Sequence, residues 1–152
     1  KFELMLAGWA RDRPSRFADP TELAERFGKS YSLRRWVPGG HLLMARSILH
    51  QEPDGAWTLC CPPAGESQVY ATNARTHLTH RLRELPMPLQ LICADADQPD
   101  AQAPCKVGRS LHAQYACRYQ AIANTSHLLQ IERPEECVAA LLSFLDDLRI
   151  GR

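Results

Sequence analysis

The feature that most constrains this chain is a pair of short apolar runs, LQLICA at 89–94 and CRYQAIA at 117–123, separated by a polar loop and a helical stretch. The first is a short apolar run of the sort that suits a strand covered on both faces, as in a parallel sheet between helices, and the second reads as another strand. Polar DADQPDAQ follows the first run, and residues 104 to about 115 then place Val107, Leu111 and Tyr115 on one helical side. Strand, loop, helix, strand is one βαβ unit, whose crossover is right-handed in about 98% of cases. Pro134-Glu135-Glu136 opens a final helix with acids at its positive N-terminal end, and Val138, Leu141, Leu142, Leu145 and Leu148 are predicted as its buried stripe. Two strands are too few for such a sheet. A parallel sheet needs neighbours at both edges, so the pattern implies further strands from another chain or from an N-terminal segment outside this one.

Upstream of this unit the patterning is helical. Asp19-Pro20-Thr21-Glu22 sets a capping residue, a proline at the first helical position and a glutamate at the third before Leu23, Ala24 and Phe27, and Gly28 ends that helix. After VPGG, the segment HLLMARSILH spaces Leu42, Leu43, Ala45, Arg46 and Leu49 as a second short helix. The turn Glu52-Pro53-Asp54-Gly55 leads into AWTLCCPP, which is one short strand or an extended loop, and residues 66–85 are a weakly periodic, mostly polar helical candidate. The chain thus divides into a helical segment, 1–84, and a sheet-forming segment, 85–152. No internal repeat is visible.

A length of 152 residues, 45% hydrophobic and 23% charged, is that of one ordinary globular domain. No run of ~18 apolar residues is present to span a bilayer. A net charge of +1 gives no electrostatic basis for a nucleic-acid or anionic-membrane partner, and Arg34 and Arg35 read as a solvated face. Cys60, Cys61, Cys93, Cys105, Cys117 and Cys137 form no CxxC pair, which favours reduced structural thiols and a cytoplasmic protein. KFELMLAGWARDR lacks the length and cleavage site of a signal peptide, and a start at Lys1 suggests a processed or truncated chain.

The polar groups that follow the two strands carry the chemistry. An open α/β sheet places its ligands beyond the carboxyl ends of its strands, and there stand Asp95-Ala96-Asp97 and Asn124-Thr125-Ser126-His127. With the strands parallel, both turns leave the same sheet edge. An aspartate can then fix the histidine tautomer by accepting from one ring nitrogen, leaving the other to take a proton from a hydroxyl.

The succession PMPLQLICADADQP, helix, YQAIANTSHLLQIERPEECVAALLSFL resembles the closing third of an α/β-hydrolase, most specifically in the SHLLQIERPEE stretch. RRW, PDGAWTLCCPP and the tyrosine shortly after resemble the helical cap of esterase-like members. The likeness covers roughly residues 17–148. It implies an α/β fold: the C-terminal part of a three-layer α/β-hydrolase sheet preceded by a helical cap, with the sheet completed by residues outside this chain. Carried over by position, His127 is the general base and Asp97 its orienting acid, with Asp95 in reserve. Ala94 stands where family members often have glycine. Neither a G-x-S-x-G elbow nor an HG-type oxyanion segment is present, and Ser110 in VGRS has neither the second glycine nor a preceding strand.

The resemblance therefore implies a serine hydrolase without a cofactor. It would act on an ester, thioester or amide of a small apolar substrate, with the nucleophile in a missing N-terminal half or companion chain; this chain alone is expected to be inactive. The alternative is a non-catalytic, hydrolase-like interaction module docking through an exposed sheet edge. Plainer roles compete at each position: His127 as a loop histidine bonded to a backbone carbonyl, and Asp95 and Asp97 as caps or turn formers. Trp9, Trp36, Trp57, Phe27 and Met44 suit a core better than an acyl pocket. His77 and His80 lack the third ligand and the glutamate that a zinc hydrolase needs.

Overall fold

The computed structural model describes residues 2–73, 75–99, 101, 103–115 and 117–151, so Lys1 lies outside the described residues. Two compact units emerge, Lys1–Tyr31 with Pro38–Leu78, and Ser32–Val37 with Thr79–Arg152. The division falls at 78/79, where the sequence pattern places it at 84/85, and the RRW segment joins the second unit. Local physics explains the latter. Trp36 is buried, and the Val37 N–H donates to the Ile131 carbonyl at 3.1 Å.

In the first unit, α1 (Phe2–Asp12) packs on α4 (Pro63–Asn73), joined by an Arg13–Glu66 ion pair and by Arg11 donating to Ser67 Oγ at 3.4 Å. α2 (Pro20–Gly28) begins as its capping sequence requires. Asp19 accepts from the Thr21 N–H at 2.6 Å, and Glu22 reaches back to the Ala18 N–H at 3.1 Å. α3 (Gly40–Ile48) stops short of the helix predicted from HLLMARSILH because Leu49 turns into a strand. β2 (Leu49–Gln51) and β3 (Trp57–Leu59) form a hairpin around Gly55 at φ 89°, and β1 (Arg16–Phe17) adds an antiparallel edge to β3. The segment read as mainly helical, with one short strand or an extended loop at AWTLCCPP, therefore contains a three-stranded sheet in which that stretch supplies the central strand. Phe17, Leu23, Ala45, Leu49 and Leu59 form its core, with Phe27 and Trp57 packed against them.

The second unit holds the predicted βαβ arrangement. β4 (Gln90–Ala94) pairs in parallel with β5 (Arg118–Ile122), in a register running from Gln90↔Arg118 to Ala94↔Ile122. α5 (Ala103–Tyr115) connects them, and the four-residue α6 (Leu129–Glu132) and α7 (Pro134–Asp147) follow. Side chains alternate along β4. Cys93 meets Gly108 of α5, whereas Gln90 donates to the Ala140 carbonyl of α7 at 3.2 Å and Ile92 shares a recess with Val138 and Leu141. The two helices thus cover opposite faces of the strand pair.

The apolar stripe predicted along α7 is largely exposed. Val138, Leu141 and Leu142 are 54%, 47% and 55% exposed, Leu145 and Leu148 are half-buried, and Ala140 is the buried α7 residue. Amphipathic spacing makes a face, but burying that face takes an opposing surface wider than two strands. The strands show the same shortfall, with Leu91, Ile92 and Cys93 only half-buried where full cover was expected.

Candidate functional site

Ala94 and Ile122, the last paired residues of β4 and β5, are both buried, so the acid turn and the histidine turn leave side by side from one sheet edge. Asp95, more than Asp97, ties them together. Its Oδ2 accepts from the Asn124 N–H at 3.2 Å and from Gln98 Nε2 at 2.9 Å, while Oδ1 accepts from the Asp97 N–H at 3.0 Å. Thr125, fully buried, accepts from the Asp95 N–H at 3.4 Å and donates to the Ile122 carbonyl at 2.6 Å. Asn124 adopts φ 57°, the left-handed conformation that asparagine tolerates better than most residues.

Asp97 is placed differently. Its carboxylate forms a two-pronged pair with Arg109 of α5, at 3.0 Å to Nη1 and 2.9 Å to Nη2, on an exposed face. His127 is exposed, and among the described residues its ring makes no hydrogen bond or ion pair. The structure therefore brings together the two turns that carry His127 and Asp97, while the contacts that cross between them run from Asp95 and Gln98 to Asn124 and from the Asp95 N–H to Thr125. Ser110 sits in the middle of α5 and accepts from Gln114 Nε2 at 3.3 Å, with no strand leading into it as an elbow requires. With Asp97, Lys106 and Arg109 it lines an open recess of ≈ 530 Å³.

Glu132 lies in the SHLLQIERPEE stretch that carries the resemblance, where the sequence assigns it no role. This carboxylate is 4% exposed and accepts the Ser126 N–H at 2.9 Å and the Ser126 hydroxyl. In the string IERPEE it looks like one more surface acid beside Glu135 and Glu136. Nothing in the local pattern marks it for burial.

The Asp95 carboxyl is held below the usual carboxylate range, first by the Gln98 amide and then by the N–H groups of Asp97 and Asn124, with burial opposing. The folded chain therefore binds this proton less tightly than the unfolded chain. The link between the turns contributes fully above the ordinary pKa of about 3.9 and is lost as pH falls below it. In an acid titration followed by NMR, the Asn124 amide should move below about pH 4 and stay flat in Asp95→Asn. An amide that titrates identically in the variant would remove Asp95 as the cause.

Among the described residues no three His, Cys, Asp or Glu side chains are grouped to hold a metal, and no helix is long and apolar enough to cross a membrane. All six cysteines are free; Cys105 and Cys117 are buried, and burial pushes the Cys93 and Cys137 thiols up.

No family model matches the chain, and no curated protein matches it in sequence. One solved structure, that of E-2-(acetamidomethylene)succinate hydrolase, is similar with a TM-score of 0.73 at 16% identity, over 95% of this chain and 52% of that one. The fold accordingly resembles that of an α/β-hydrolase. This chain spans about half the length of the hydrolase it resembles.

Proposed function

We propose that this chain supplies the general base and orienting acid of an α/β-hydrolase-type serine hydrolase acting on an ester, thioester or amide of a small apolar substrate. The observation that carries this reading is the parallel pairing of β4 with β5, in a register that sets the acid turn beside the turn bearing His127. Hydrolysis as the reaction class is supported by the structural neighbour, itself a hydrolase. His127 takes the proton of an attacking serine hydroxyl and returns it to the leaving group. Asp97 holds the imidazole, which requires its carboxylate to exchange Arg109 for the ring N–H once the site is complete. Asp95 is the rival acid, favoured by its contact with the histidine turn.

The serine and oxyanion donors come, in this proposal, from an N-terminal half or companion chain that also completes the sheet, and α1 to α4 with their small sheet serve as the cap. A cytoplasmic location belongs to the same proposal. The test is to join the chain to a nucleophile-bearing half and assay p-nitrophenyl esters with His127→Ala as control.

A second function, a non-catalytic interaction module, is favoured by the exposed Val138, Leu141 and Leu142 beside the half-covered β4. An apolar patch of this kind drives association. Light scattering after size exclusion should show the isolated chain self-associating or partner-bound, and Leu141→Glu should disperse it with little effect on folding. A stable, monodisperse species of 17.1 kDa contradicts both the incomplete sheet and the module. Fluorophosphonate labelling of a co-purifying chain would decide for the enzyme.

A further inference from the structure

We infer that Glu132 is a positioning residue for His127, an assignment that rests on the proposed hydrolase site. A carboxylate that is 4% exposed is unusual, because charged groups lose their hydration on burial and are retained where hydrogen bonds replace it. Here both replacements come from one residue. Ser126 gives Glu132 its N–H at 2.9 Å and its hydroxyl, and Ser126 immediately precedes His127.

The geometry around this pair completes the case. Three consecutive residues lead into His127, and each is pinned from a different element: Asn124 by Asp95 of the acid turn, Thr125 by the Ile122 carbonyl at the end of β5, and Ser126 by Glu132 at the end of α6. The ring of His127 has no hydrogen-bond or ion-pair partner of its own among the described residues, so its placement is inherited from the backbone that these anchors hold. Asp95 and Glu132 grip the same turn on either side of Thr125. Removing one leaves the other in place, so the turn loosens at one end without losing the strand pair beneath it. The last anchor before the imidazole is Glu132.

The test reads the imidazole directly. In the 152-residue chain with labelled histidines, His127 should give one ring Cε1–H cross-peak. In Glu132→Gln that peak should split or broaden, while the peak of His112, fixed by its own 2.6 Å contact with the Cys117 carbonyl, stays unchanged. Ser126→Ala, which removes only the hydroxyl bond, should produce a smaller change of the same kind and serves as the measurement if Glu132→Gln fails to fold. With the nucleophile-bearing half joined, Glu132→Gln should lower kcat about 10–100-fold at nearly constant KM, as a misplaced base does, and Glu132→Asp should recover part of it. An unaltered His127 peak in a folded variant, whether Glu132→Gln or Ser126→Ala, overturns the inference. The hydrolase reading fails separately, through undiminished turnover in His127→Ala, and that outcome leaves the ring measurement standing.

Discussion

With the chain joined to a nucleophile-bearing half, His127→Ala should lower p-nitrophenyl ester turnover by about 10³-fold, within the range general-base catalysis supplies. The loss should appear in kcat and kcat/KM together, because the proton transfer exists only in the transition state and substrate binding does not depend on it. The aspartates then separate by the same assay. An orienting acid replaced by its amide holds the wrong tautomer, with a loss approaching 10⁴-fold, whereas a carboxylate that only ties two turns together affects the rate through geometry and far less. Asp97→Asn is expected to show the larger loss and Asp95→Asn the smaller. The reverse order would transfer the acid role to Asp95, and full activity in His127→Ala would end the hydrolase proposal.

The second large effect concerns stability. At Gly108, α5 approaches β4 so closely that an added Cβ would lie inside the contact distance of Cys93 Sγ, with Cys93 Cβ at 3.6 Å and Tyr119 Cε2 at 3.8 Å. Gly108→Val should therefore destabilise the fold by about 2–3 kcal/mol, as overpacking of a filled interface does. For a chain of this length that is roughly 4–12 °C in Tm. Gly108→Ala is the finer instrument. Alanine gains about 1 kcal/mol of helix propensity over glycine, which masks part of its steric penalty in the parent chain. In a Cys93→Ala background the obstructing sulfur is gone, and Gly108→Ala should turn stabilising. Such a change of sign is a direct measure of coupling between contacting residues. If Gly108→Ala has the same effect in both backgrounds, α5 does not pack on β4 through this glycine.

Much of this molecule was legible residue by residue. β4, α5, β5 and α7 all lie where apolar runs and helical spacing predict them, and α2 starts at the Asp19-Pro20-Thr21-Glu22 signature. These signals are local: a strand covered on both faces needs consecutive apolar residues, and a helix start needs a side-chain acceptor within three residues. The hairpin of β2 and β3 was harder to foresee, since Leu49 fits the apolar spacing of α3 and leaves it only because it pairs across to Leu59.

By itself the sequence determined the order of elements and set an aspartate turn and a histidine turn after successive strands, because periodicity and turn chemistry act over a few residues. Only the tertiary structure decided that the two turns lie side by side, that Asp95 bonds across to Asn124 while Asp97 pairs with Arg109, that Glu132 is buried beneath Ser126, and that Val138, Leu141 and Leu142 stay exposed. Each of those outcomes depends on which surface meets which across some distance in the chain. An isolated stretch of residues carries its own pattern of apolar and polar groups, but not the identity of the surface that will cover it.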